Sequence, residues 1–217
     1  MKGLYAIADL TALDSRGLDP VAFAGAVLDG GAALLQLRAK KQEAKRVLGL
    51  LRSLRPLCAE RGVALVANDR IDLAFLARCD VVHVGQDDPD PEDVRALADA
   101  AGQPIKIGIS THDEEQAERA ARRPVDYVAV GPVLGTATKE NPDPVLGIAR
   151  ARAIADRVKA VRDVPLVAIG GIDARAASEL AGAFDAVAVV AALLPGEGEG
   201  LSDVPRRARE IVEALAR

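Results

Sequence analysis

The 217 residues carry a formal charge of −4; half are hydrophobic and 28% are charged, so the chain can bury a sizeable core and is not intrinsically disordered. Aromatic residues make up 2% and tryptophan is absent, which argues against a stacking platform for single-stranded nucleic acid, and the negative balance gives no general attraction to nucleic acid or to an acidic membrane. No apolar run approaches the ~18 residues of a membrane helix, and no basic stretch followed by a long apolar one opens the chain, so a soluble cytoplasmic protein is expected.

Taken in order, apolar runs of strand character alternate with helical patterns. Residues 4–8 read as the first strand, and a helix from Pro20, a favourable first-turn residue, runs to about residue 29 and stops at Gly30-Gly31. Residues 33–37 are the second strand; a long charged helix follows over 41–61, with Pro56 as a kink and Gly62 closing it. The third strand is 63–67 with a short helix over 71–78, and the fourth is 80–84 with a helix opened by the Asp-Pro pairs at 88–91. Residues 105–109 are the fifth strand, and Thr111 or Asp113 can cap a helix to residue 122. After the sixth strand, 127–130, residues 142–144 are extended and 147–161 helical. The seventh strand, 165–169, precedes a helix over 173–181; the eighth, 186–190, is followed by a glycine-rich stretch and a terminal helix from about residue 203.

Eight strand–helix units with nearly continuous apolar strands mean parallel strands covered by helices. A single (β/α)8 barrel over residues 1–217 is the expected architecture, with an open doubly wound sheet as the alternative. The first βα turn lacks G-x-G-x-x-G, which weakens a dinucleotide-binding version. Cys58 and Cys79 lie in no CxxC and near no histidine at metal-ligand spacing, so they read as two small buried thiols. The basic run Arg206-Arg207-Ala208-Arg209 reads as a solvated helix face.

Polar residues gather just past one strand end after another: Gln36, Arg38 and Lys40; Asn68-Asp69; Gln86-Asp87-Asp88; Ser110; and Thr136 to Lys139. In a barrel these ends share the face on which active sites are built, whereas the opposite loops read as plain turns. The stretch 131–139 has glycines for close backbone approach, two threonine hydroxyls and a terminal lysine, the inventory of an anion-binding loop, but not at P-loop spacing. Gly170-Gly171 after the seventh strand with Ala191 after the eighth matches the usual phosphate site of such barrels; a tight turn is the alternative. Asn68-Asp69 and Asp88 could each instead cap the helix that follows, and Arg38, Lys40 and Lys41 could form a solvated helix start, although three cations there would oppose the helix dipole. His83, inside an apolar strand, reads as a core histidine, while His112 at a strand end could be catalytic or a surface residue. Arg38, Lys40 and Lys139 set against Asp69 and Asp88 leave one net positive charge, and two carboxylates facing an anion make sense with a hard divalent ion such as Mg2+ between them. The face therefore suits a diphosphate ester with Mg2+ and a second, singly phosphorylated ligand.

Six motifs in order, Gln36-Leu37-Arg38-Ala39-Lys40, Asn68-Asp69-Arg70, His83-Val84-Gly85-Gln86-Asp87-Asp88, Gly108-Ile109-Ser110-Thr111-His112, Gly131-Pro132 with Thr136-Ala137-Thr138-Lys139, and Ala168-Ile169-Gly170-Gly171-Ile172, closely resemble the thiamine-phosphate synthase family over nearly the whole chain. The resemblance implies a (β/α)8 transferase of thiamine biosynthesis that joins a hydroxymethylpyrimidine diphosphate to a thiazole phosphate and releases diphosphate. By position it implies that Gln36, Leu37, Arg38, Ala39, Lys40, Asn68, Ser110 and Lys139 hold the pyrimidine diphosphate, and that Asp69 and Asp88 bind Mg2+. Thr136, Ala137, Thr138, Gly171, Val190 and Ala191 would hold the thiazole phosphate. Ala191 departs from the family, which often has serine there, so weaker phosphate contact is expected. Diphosphate would leave first and the thiazole nitrogen capture a pyrimidine-methyl cation, with charge stabilisation by Mg2+, Arg38, Lys40 and Lys139 and no general base. A thiazole tautomerase using His112, or a non-catalytic phosphate-binding regulator, are the alternatives. Oligomeric state stays open, with a homodimer as one form.

Overall fold

The computed structural model describes residues 1–136 and 143–216. Strands β1 (Gly3–Asp9), β2 (Leu34–Arg38), β3 (Ala64–Asn68), β4 (Val81–Val84), β5 (Lys106–Thr111), β6 (Tyr127–Val130), β7 (Leu166–Ile169) and β8 (Ala186–Val189) are all parallel and close into a barrel in sequence order, β8 pairing back onto β1. The connecting helices are α1 (Leu10–Asp14), α2 (Pro20–Asp29), α3 (Ala44–Glu60), α4 (Ile71–Leu76), α5 (Pro91–Ala101), α6 (Glu114–Ala121), α7 (Ile148–Val161), α8 (Ala174–Leu180) and α9 (Val204–Leu215). No helix among the described residues is long and apolar enough to cross a membrane.

Successive residues of a strand face opposite sides of the sheet. One set, including Leu4, Ala6, Leu35, Leu37, Leu65 and Val82, joins Phe23, Leu51, Leu54, Ile154 and Ile211 of the helices in a core outside the barrel. The other set, including Tyr5, Ile7, Leu34, Val66, Val81, Tyr127, Ala129 and Val167, fills the barrel axis. Both faces are buried, which is why the strands are nearly unbroken apolar runs in sequence.

The face at the strand N-termini carries a device that looked like plain turns in the sequence. Asp80, Asp126 and Asp185 each precede an even-numbered strand. Each carboxylate accepts the N–H that opens the core of the preceding strand, from Leu65 at 2.9 Å, Ile107 at 2.8 Å and Leu166 at 2.9 Å. Each Asp N–H in turn donates to the carbonyl of that same residue. These reciprocal pairs lock β3 to β4, β5 to β6 and β7 to β8 at their starts.

Two elements differ from expectation. Helix α1 was not foreseen: five residues are too few to show a helical period, and its start is fixed by Asp9, whose Oδ1 accepts the Ala12 N–H at 2.9 Å. Helix α3 begins at Ala44 rather than residue 41, after Glu43. Arg38 therefore ends β2 and Lys40 and Lys41 lie in the turn before the helix, so the expected clash of three cations with a first-turn dipole does not arise.

Candidate active site

Arg38 is the last residue of β2, and the register sets it beside Asp9, the last residue of β1. The two form an ion pair, with Asp9 only 2% exposed. Asp9 thus serves twice, capping α1 with Oδ1 and holding Arg38 with Oδ2. It also changes the charge balance of the rim: adding Asp9 cancels the single net positive charge counted from the sequence. Asp9→Asn keeps the cap acceptor and removes the charge beside Arg38. We expect it to cost about 1–3 kcal/mol, a fall in Tm of roughly 3–10 °C in a thermal melt, with a larger rise in KM for a diphosphate substrate than fall in kcat.

Two turns further round, the alternative capping roles of Asp69 and Asp88 are not what forms. Arg70 stands at the start of α4 and Asp90 at the start of α5, and neither helix has a side-chain cap. Asp69, in a left-handed backbone conformation (φ 59°), places Oδ2 2.7 Å from Lys40 Nζ. Asp88 turns Oδ2 back to accept the Gly85 N–H at 2.7 Å, and its carboxyl feels the negative charge of nearby Asp69. Burial holds the Asp88 carboxyl above the ordinary carboxylate range, and the adjacent Asp69 adds to this, against the opposing pull of the Gly85 N–H and Lys40. Two carboxylates close enough for Asp69 to raise the proton affinity of Asp88, and only partly offset by one lysine, form a donor set suited to a hard divalent cation. Among the described residues no group of three or more His, Cys, Asp or Glu side chains could hold a metal. An ion between Asp69 and Asp88 would therefore complete its shell with ligand and water oxygens, the usual habit of Mg2+.

Below this rim a polar file crosses the barrel axis. Gln36 donates to the Tyr5 hydroxyl at 2.7 Å, the Tyr5 and Tyr127 hydroxyls are 3.0 Å apart, Tyr127 Oη is 2.7 Å from His83 Nδ1, and His83 Nε2 is 2.8 Å from Ser110 Oγ. His83 is 6% exposed and burial lowers its pKa to about 4, so it is neutral at pH 7. It is a core histidine, as its apolar strand suggested, but one bonded directly to a rim serine. Asn68, half-buried at the end of β3, pairs in register with His83. The side chains of Leu37 and Ala39 pack into the outer core, so these two residues offer the rim only their backbone.

On the far side, the loop after β6 lies against the end of β7. Val133 N–H donates to Ile169 O at 2.8 Å and Leu134 N–H to Gly170 O at 2.9 Å. A Cβ on Gly171, where φ is 66°, would stand 2.5 Å from Gly135 O. The glycine is thus required by close backbone approach as well as by any ligand. Thr136 is the last described residue of this loop; Ala137, Thr138 and Lys139 lie outside the described residues. Val190 and Ala191 open a three-residue 3-10 helix over Ala191–Leu193, beyond β8. His112 has Nδ1 2.7 Å from Gly131 O and 3.5 Å from Asp143 Oδ2.

The sequence model of a family described as thiamine monophosphate synthase matches residues 4–193 of this chain. The chain belongs to the thiamine monophosphate synthase family. Among relatives in this family, thiamine-phosphate synthase of Koribacter versatilis is 41% identical, covering 98% of this chain and 95% of its own length. That of Methanospirillum hungatei is 36% identical over 88% of this chain and 89% of its own length. In three dimensions the chain is similar to a thiamine phosphate pyrophosphorylase from Pyrococcus furiosus, with a TM-score of 0.80 at 27% identity, covering 99% of this chain and 95% of that one. The family is enzymatic and its named members are transferases, as the six motifs implied. What sequence reading missed at the site is Asp9 and the Tyr5–Tyr127 link; the signal for Asp9 was an acidic residue closing an apolar strand.

Proposed function

We propose that this chain is a Mg2+-dependent thiamine-phosphate synthase that transfers a hydroxymethylpyrimidine group from its diphosphate to the ring nitrogen of a thiazole phosphate. The observation that carries the metal-dependent part is the placing of Asp69, paired with Lys40 at 2.7 Å, and Asp88, which feels its charge, at the strand ends of a barrel of this family. Neither a tautomerase nor a plain phosphate-binding regulator has a need for two opposed carboxylates.

Mg2+, when bound by Asp69 and Asp88, supplies positive charge at the departing diphosphate. Arg38, oriented by Asp9, and Lys40, oriented by Asp69, add fixed charge to the same group, and Ser110 and Asn68 hold the pyrimidine diphosphate above the polar file. Lys139 is assigned the same charge role from its place in the motif. Gln36 bounds the pocket from below. Thr136, Thr138, Gly171 and the Val190-Ala191 backbone are assigned to the thiazole phosphate. The nucleophile is a neutral ring nitrogen, so no general base is needed; the buried neutral His83 is not placed to serve as one. Leaving-group departure before capture makes stabilisation of diphosphate charge, not proton transfer, the main task of these residues.

The test is to incubate the purified protein with both substrates and Mg2+ and measure diphosphate release and thiamine phosphate formation. Release that requires both Mg2+ and the barrel's carboxylates supports the proposal. No release under any metal condition, with the protein folded, returns it to a phosphate-binding regulator.

A further inference from the structure

The buried file beneath the rim carries information about where its protons sit. Gln36, Tyr5, Tyr127 and His83 are 3%, 1%, 0% and 6% exposed, so their hydrogen bonds are made with each other rather than with bulk water. Gln36 gives an Nε2–H to the Tyr5 oxygen. The Tyr5 proton is then directed to the Tyr127 oxygen, its hydroxyl neighbour at 3.0 Å. Tyr127, having accepted, gives its own proton to His83 Nδ1. A neutral imidazole that accepts at Nδ1 carries its proton on Nε2. That N–H points at Ser110 Oγ, 2.8 Å away.

We infer that this one-way file fixes the Ser110 hydroxyl as a hydrogen-bond donor to the ligand, with Tyr127 and His83 as its positioning residues. One lone pair of Oγ is occupied by His83, and the O–H is left to turn toward the rim. A serine held this way before any ligand arrives suits an acceptor, such as a diphosphate oxygen or a ring nitrogen lone pair, and disfavours a donor. The inference rests on the assignment of Ser110 to the pyrimidine diphosphate. If Gln36 instead presented its oxygen to Tyr5, every proton in the file would reverse, and the Ser110 O–H would be spent on His83.

The chain has two histidines, His83 and His112, so 15N-histidine labelling gives a spectrum of two rings, assigned with a His112→Gln variant. Two-bond 1H–15N couplings read the tautomer directly, without substrate. We expect His83 in the Nε2–H form in the unmodified protein and in Tyr5→Phe, where Tyr127 keeps its proton on course, and both tautomers in Tyr127→Phe. Kinetics supply the second reading. Ser110→Ala should slow diphosphate release on the order of ten- to a hundredfold in the native background, but only a few-fold in the Tyr127→Phe background, because the second substitution has already freed the hydroxyl. Costs that simply multiply would make Tyr127 a packing residue and overturn the inference. So would an Nδ1–H tautomer in the unmodified protein, a result that decides the matter even where Tyr127→Phe fails to fold. An Nε2–H tautomer in a protein that releases no diphosphate would sink the proposed activity while leaving the proton file standing.

Discussion

Asp88→Asn is expected to slow Mg2+-supported diphosphate release by roughly a thousandfold while leaving the metal-free protein as stable as before, or more so. The two halves of this expectation come from one geometry. Asp88 has a carboxyl raised above its ordinary value by burial and by Asp69 beside it. A folded-state pKa above the unfolded one means that the folded protein holds the proton more tightly. The charged form therefore costs stability at neutral pH; that cost is complete above the folded pKa and is relieved as pH falls toward the unfolded value. Asparagine removes the cost and still offers an oxygen to the Gly85 N–H that Asp88 now accepts. What it cannot offer is the second negative charge. A thermal melt of the native protein should move upward on addition of Mg2+, by the linkage between binding and folding, and the melt of Asp88→Asn should not. Full diphosphate release by Asp88→Asn or Asp69→Ala after chelation would reject the metal role.

Gly108→Ala should cost the fold about 3 kcal/mol or more, a fall in Tm of roughly 6–15 °C. A Cβ at this point of β5 would stand 1.9 Å from Tyr127 Cζ and 2.2 Å from Cε1. The ring has nowhere to go. Tyr127 is fully buried, stacked on His83 with centroids 5.5 Å apart, set edge-on to Tyr5 at 6.1 Å, and hydrogen-bonded to both. Either the strand pair β5–β6 spreads or the polar file breaks, so activity should fall further than stability alone explains. Gly49→Ala is the matched control: it lies inside α3, a Cβ there would meet nothing within 4 Å, and helix propensity predicts a gain of about 0.5–1 kcal/mol. A change in Tm of less than about 2 °C for Gly108→Ala would show that the axis is packed more loosely than these contacts imply.

The barrel was legible because burial on both faces leaves each strand as an apolar run, and glycine, proline and aspartate mark most of the ends. The gathering of Arg38, Lys40, Asn68, Asp69, Asp88 and Ser110 at one rim followed from the same parallel order. Side-chain partners did not follow. Asp9 and Arg38 are 29 residues apart and meet only through the β1–β2 register. Tyr5 and Tyr127 are separated by 122 residues, and their hydroxyls meet only across a closed axis. Asp69 and Asp88 each had a local capping partner available in sequence, and a local pattern cannot show that both turn instead toward Lys40 and Gly85. The anion-loop assignment to Thr138 and Lys139 concerns residues outside those described, and it stands on the motif alone.

Closure of the barrel sets an order of events during synthesis. Strand β1 leaves the ribosome before the other seven strands, yet its second neighbour is β8, paired through Gly3–Ala186 to Ala6–Val189. Until Val189 has been made, one side of β1 presents unpaired backbone N–H and C=O groups flanked by Leu4, Tyr5 and Ile7, and the growing far edge of the sheet does the same. From the making of β1 until β8 is complete the nascent barrel is therefore an open, sticky sheet, and any product that stops short of Ala186 retains both edges. Termination between β7 and β8 is thus as damaging to solubility as termination after the first strands, although most of the polar rim has by then been synthesised.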